Sequence, residues 1–297
     1  MTSSWTRRRS RTARCRAIPP SWSGGEAHAS PWVALTDRRR IAVIPIRGVI
    51  GGAVKTADTL AVLERARTTS RIRAVVLDID SPGGGATASE ALYLAVRRLA
   101  KRKPVVAWFR GTGASGAYFL ACGATRILAF PSAIVGSIGV IAVRPIAAEA
   151  LRRLGARVMV TKSGPLKDLG APWREPTEAD EAKERELVEA IFVRFRDVVS
   201  DRRDLEGAAL ERVVTGEVWL GEQALELCLV DGICEDEDGA LREAQRLAQL
   251  AHRQTVRLSP RRTLLQRVGV PGAGMGPPGP RWIAELEGWL TQPRARL

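Results

Sequence analysis

Histidine is nearly missing from this chain of 297 residues: only His28 and His252 occur, and both lie outside the stretch where apolar periodicity is concentrated. A His-based catalytic triad and a His-ligated metal site therefore have no material in the middle of the chain. Cysteine is also scarce. Cys15, Cys122, Cys228 and Cys234 show no CxxC spacing, and Cys122 and Cys228 sit in apolar helical runs, so all four read as buried free thiols, with no disulfide framework and no zinc site. Lysine occurs only at positions 55, 101, 103, 162, 167 and 183, which makes a lysine in a Gly/Pro loop stand out. No uninterrupted apolar run approaches the roughly 18 residues that a membrane span needs. The Arg-rich opening is followed by Ile18-Pro-Pro-Ser-Trp-Ser-Gly-Gly rather than by an apolar signal-peptide core. The expectation is a chain with neither signal peptide nor transmembrane segment, cytoplasmic or peripheral at the cytoplasmic membrane.

What the sequence has in excess is positive charge, +14 formally. Residues 1–40 hold nine Arg against Glu26 and Asp37, or +7, and residues 253–297 hold eight Arg against Glu285 and Glu287, or +6. Subtracting both leaves +1 for residues 41–252. The basicity belongs to the ends, where it suits tethering to anionic lipid better than a nucleic-acid site in the body of the protein. Three regions follow: a basic, disordered tail over 1–38, a globular domain over 39–252, and a basic Gly/Pro-containing tail over 253–297 with a short amphipathic helix from Arg281 to Leu290.

Within the domain, continuous apolar runs alternate with helical periodicity. Ile41–Ile46 reads as a strand whose Pro45 marks an edge or bulge, and Ala74–Ile79 and Val105–Phe109 as strands buried on both faces. Thr56–Arg67 and Ala86–Arg102 are the helices between them. Strands at Arg126–Phe130, Val135–Val143 and Val158–Thr161, a helix over Ile146–Leu154, and a long helix capped by Thr177 with Asp180 at its third position come next. Gly216–Gly232 reads as strand, turn and short helix, and Glu237–His252 as a last helix. This rhythm predicts an α/β fold with a mostly parallel sheet and flanking helices.

Three Gly-rich loops fall after successive strands: Ser81-Pro-Gly-Gly-Gly, Gly113-Ala-Ser-Gly and Gly136-Ser-Ile-Gly. The carboxyl ends of parallel strands are where open sheets bind ligands. Ser115 stands at a strand-to-helix junction, where uncommitted backbone N–H groups can stabilise an oxyanion; on this segment alone an ordinary Ser N-cap remains the alternative. Gly83 and Gly116 can each offer an N–H with no Cβ to hold a peptide carbonyl away. With no His nearby, the base for a serine nucleophile has to be Lys, Asp or Glu, and Lys162 and Lys167 are the loop lysines.

Taken in order, Asp80-Ser-Pro-Gly-Gly, Ala114-Ser115-Gly116-Ala117-Tyr118, Gly136-Ser137-Ile138-Gly139-Val140, Lys162-Ser-Gly-Pro-Leu-Lys-Asp-Leu-Gly-Ala-Pro-Trp-Arg-Glu and Gly221-Glu-Gln-Ala-Leu-Glu-Leu-Cys-Leu-Val-Asp resemble the S49 serine peptidases, the family of signal peptide peptidase A or protease IV. The resemblance covers about residues 41–250. It departs from the family's usual Gly at position 117 and lacks the N-terminal anchor.

The resemblance implies a ClpP/crotonase-like fold, Ser115 as nucleophile, Lys167 rather than Lys162 as general base, and Ser137 hydrogen-bonded to that lysine. It further implies a serine endopeptidase cleaving apolar peptides such as remnant signal peptides, with no cofactor and no metal. Single-domain relatives are rings in which one subunit gives the serine and its neighbour the lysine, so a homo-oligomer with shared active sites is expected here. Within one protomer, Ser115 and Lys167 are then expected to lie too far apart to hydrogen-bond. Two other readings stay open: a crotonase-like acyl-CoA enzyme using the same oxyanion geometry, and a non-catalytic scaffold whose basic tails bind anionic lipid or nucleic acid.

Overall fold

The computed structural model describes residues 39–260. Cys15, His28, most of the two basic tails and the piece Arg281–Leu290 lie outside the described residues. Three long strands form the centre: β1 (Arg40–Arg47), β2 (Ile72–Ser81) and β3 (Val105–Ala114), parallel and in the order β1-β2-β3. β2 explains why the centre lies there. Its run IRAVVLDIDS is buried almost throughout, with Val75, Leu77 and Ile79 on one face and Ala74 and Val76 on the other. Each fully buried Val, Leu or Ile contributes about 1.5–3 kcal/mol. Such a run can only be satisfied between two layers.

The first layer is α1 (Thr56–Thr68) and α2 (Ala86–Ala100), which place Val62, Leu63, Leu92, Tyr93, Val96 and Leu99 over the Leu77 face. The second is α8 (Glu237–Leu247), whose Ala240, Leu241 and Ala244 close over Val43, Val76 and Trp108. The α/β architecture, a mostly parallel sheet with flanking helices, is the one expected.

The long β3 is shared. On the side away from β2, its first half pairs with β4 (Arg126–Ala129) and its last three residues with β5 (Ile134–Gly136), both parallel. β6 (Val218–Leu220) adds to β5 antiparallel, and β7 (Gly232–Ile233) adds to β4. The far edge is β8 (Thr255–Arg257), parallel to β1. β8 lies beyond residue 252, where the domain was expected to end, so the sheet continues into the segment first grouped with the basic tail. It pairs only with Ile41–Val43, and Pro45, which has no N–H to give, stands where this pairing has stopped.

The remaining elements are α3 (Gly116–Ala121), α4 (Ala148–Arg153), α5 (Glu178–Arg203), α6 (Gly207–Val213) and α7 (Gly221–Glu226). Residues 139–176 depart furthest from expectation. Val135–Val143 is a strand only through Gly136, Val158–Thr161 is not a strand, and the helix over Ile146–Leu154 shortens to α4. Ile141, Leu154 and Met159 are 85%, 80% and 96% exposed. Apolar β-type residues need a partner strand, and this segment finds none among the described residues. α5 continues the arm: its buried apolar residues, Phe195, Val198 and Val199, are all near its C-terminal end, while Leu187 and Ile191 remain exposed.

Cys122 and Cys234 are buried free thiols, and burial pushes the Cys122 thiol up to about 12. Cys228 is also buried, and Cys15 lies outside the described residues. Among the described residues, no helix is long and apolar enough to cross a membrane.

Candidate active site

Ser115 is the residue between β3 and α3, with φ 51° and ψ −122°. A non-glycine residue there is strained by about 1–3 kcal/mol and needs its surroundings to hold it. Two contacts do so. The Ser115 N–H donates to Gly136 O at 2.8 Å, and its own carbonyl accepts from Phe119 N at 2.9 Å. Behind it, α3 is fixed by Tyr118, a buried side chain whose hydroxyl donates to Leu229 O at 2.8 Å. Ala117 is fully buried in the same helix.

The last paired residues of β3 and β5, Ala114 and Gly136, are followed directly by Ser115 and Ser137. Ser137 also has positive φ, 50°, and its N–H donates to Glu217 O at 2.7 Å. Thus two serines stand at the ends of adjacent parallel strands, both turned by a left-handed backbone out of the ladder.

The Ser-Pro-Gly-Gly-Gly loop packs against this pair. A Cβ at Gly83 (φ +102°) would fall 2.7 Å from Gly116 N and 2.9 Å from Ser115 Cβ, and one at Gly116 would fall 2.1 Å from Ser89 Oγ. The two loops touch because both lack side chains at the contact. Ile50 pins the loop from the other side, its N–H donating to Gly83 O (2.7 Å) and its carbonyl accepting from Gly85 N (3.0 Å). Of the two expected oxyanion donors, the Gly116 N–H has no acceptor among the described residues. The Gly83 N–H donates instead to the buried Ser81 Oγ at 3.2 Å. The role of Ser81 was not read from the sequence, although Ser two residues ahead of a turn glycine is a local hydrogen-bond signature.

Lys167 lies on the exposed loop before α5, in a run of turns held by Lys167 N to Gly164 O (3.2 Å), Leu169 N to Leu166 O (3.1 Å) and Ala171 N to Asp168 O (3.0 Å). Among the described residues its side chain makes no hydrogen bond to Ser115 or Ser137. Lys162 does not approach the serines either. It donates to Asp168 Oδ1 at 2.7 Å and to Pro165 O at 2.8 Å. Arg174 then bonds Asp168 and Asp180 together, and these hydrogen bonds from Arg174, reinforced by Lys162 at Asp168 and by Thr177 at Asp180, hold both carboxyls well below the usual carboxylate range. The sequence reading missed Arg174. Its signal is modest: an arginine six residues from an Asp on either side, in a loop with few other partners. Among the described residues, no group of three or more His, Cys, Asp or Glu is placed to hold a metal ion.

This arrangement offers a nucleophile-capable hydroxyl, a second hydroxyl beside it, and an unoccupied N–H at the following residue. The profile of "Peptidase family S49" matches residues 97–251, more than half of the chain. A protein of Methanocaldococcus jannaschii, provisionally named a protease, is 34% identical over 185 residues, covering 62% of this chain and 59% of its own length. Another from Synechocystis, also provisionally named a protease, is 32% identical over 205 residues, covering 68% of this chain and 73% of its own. Protease 4 of Salmonella typhi is 33% identical over 218 residues, covering 71% of this chain and 35% of its own. The chain thus spans less than two thirds of the first and the third.

Proposed function

The chain belongs to peptidase family S49, and from that premise we propose that it is a serine endopeptidase with a Ser115–Lys167 dyad, acting on apolar peptides such as remnant signal peptides. The observation that carries the reading is the placement of Ser115 and Ser137, both at positive φ, directly after the paired ends of β3 and β5, with the uncommitted Gly116 N–H following Ser115. In acylation, Ser115 Oγ attacks the peptide carbonyl and gives its proton to the neutral amine of Lys167, which passes it to the leaving amine. Water then attacks the acyl carbon, losing a proton to the same lysine, and as the bond to Ser115 Oγ breaks the lysine returns that proton to the serine oxygen, releasing the acid. Ser137 orients the lysine. The oxyanion is met by the Gly116 N–H and by the Gly83 N–H once it turns from Ser81, each such donor being worth about 3–4 kcal/mol in the transition state.

The lysine comes from a neighbouring copy in this reading. The apolar arm over 139–176 and the first turns of α5 support it, since a monomer rarely leaves so much contiguous apolar surface open. Val218 and Leu220 of β6 are 48% and 49% exposed, and Val218 pairs with Gly136, the residue before Ser137, an apolar edge that suits an apolar substrate. The basic termini add a peripheral contact with anionic lipid at the cytoplasmic membrane.

A fluorophosphonate probe tests the assignment. It should add one label per chain to the full-length protein, and Ser115→Ala should take none while keeping the same circular dichroism spectrum. Equal labelling of both proteins would remove Ser115 as nucleophile.

A further inference from the structure

Resting on Lys167 as the base, we propose that Arg174 is a positioning residue: it holds the Asp168 carboxylate away from the adjacent lysine and ties the lysine's loop to the first turn of α5. All three of its guanidinium nitrogens are engaged. Nε and Nη2 donate to the two oxygens of Asp168, each at 2.9 Å, and Nη2 also reaches Asp168 O at 3.3 Å. Nη1 donates to Asp180 Oδ2 at 2.5 Å and to Glu175 O at 3.1 Å, and Nη2 to Asp180 Oδ1 at 3.0 Å. Asp180 is itself anchored: its side chain is 1% exposed and accepts from Thr177 N (2.9 Å) and Thr177 Oγ1 (2.8 Å) in the cap of α5. A planar fork is needed to bridge two carboxylates in this way, which a single ammonium cannot do.

The charge balance gives the arrangement its consequence. Lys162 and Arg174 are set against Asp168 and Asp180, a sum of zero. The neighbouring pair Arg144–Glu184 (2.6 Å) also sums to zero. Lys167 is left without a carboxylate partner among the described residues, although Asp168 is the next residue in the chain. A base must shed its proton to work, and a carboxylate at contact distance favours the charged ammonium. Occupying Asp168 with Arg174 and Lys162 therefore keeps the carboxylate next to the base in sequence off it.

The test is the pH dependence of kcat/KM on a fluorogenic apolar peptide, using the full chain in its native assembly. Arg174→Ala leaves the four-residue cluster at −1 and frees two of the hydrogen-bonding positions on Asp168. The acidic limb should move up by about one pH unit or more, and activity at neutral pH should fall about tenfold or more. Asp168→Asn leaves the cluster at +1, and the acidic limb should move down. The double variant Arg174→Ala/Asp168→Asn restores a sum of zero and should return the limb close to that of the parent. A merely structural arginine predicts lower rates with all limbs coincident, and that result would overturn the proposal. If Arg174→Ala does not assemble, Asp168→Asn decides alone, an unmoved limb being the contrary result. Lys167→Ala is the control: should it keep its activity, the dyad reading itself fails, which is distinguishable from an unmoved limb in a protein that needs Lys167.

Discussion

The strain at Ser115 and the bare backbone around it belong together. A residue at φ 51° beside two glycines whose missing Cβ atoms leave 2.1–2.7 Å to their neighbours is held by its surroundings rather than by its own preference. Glycine accepts that conformation without cost and alanine does not. Ser115→Gly should therefore be inactive yet more stable than Ser115→Ala, by about 1 kcal/mol after allowing for glycine's larger unfolded-state entropy. Paired thermal melts check this, and a Ser115→Gly protein that melts at or below Ser115→Ala would show that the site stores no strain. The serines and glycines were legible in the sequence because a tight approach of backbones can be made by few residue types. The commitment of the Gly83 N–H to Ser81 and the bridge through Arg174 were not, because a hydrogen bond between side chains leaves no periodicity to read.

Among the elements, those that carry the sheet were the easiest to foresee. Strands buried on both faces, such as β2, appear as unbroken apolar runs, and α2 and the Thr177 cap of α5 follow from spacing and capping chemistry. Residues 139–143 and Val158–Thr161 have the same apolar composition as those strands but no strand to pair with among the described residues, so composition alone misplaced them. What orders this arm is charge. Asp168 and Asp180 have folded-state values below their unfolded ones, so their contribution is fully present above the usual carboxylate range, about pH 4, and is lost as pH falls further toward the folded values. Trp173, beside Arg174, reports on the arm if the other seven tryptophans are replaced by Phe. Its emission should be constant from pH 8 to 5 and change below about pH 4; a transition centred near pH 6 would mean that another group holds the arm.

At the scale of the whole molecule, the described chain has a closed core and an open arm. The core presents Ser115 and Ser137, and the arm carries Lys167 among exposed apolar side chains, so the proposed nucleophile and the proposed base are carried by different parts of the chain. An assembly in which the arm of one copy lies across the serines of the next would bury that apolar surface and complete the site in one step. The most direct measurement is subunit mixing. Ser115→Ala and Lys167→Ala proteins, each inactive alone, are unfolded together, refolded as one population, and assayed on an apolar peptide, with subunit exchange confirmed by native mass spectrometry. Recovery of a fraction of the parental activity is the predicted result, because some interfaces would join an intact serine to an intact lysine. Confirmed mixed assemblies with no activity would contradict it.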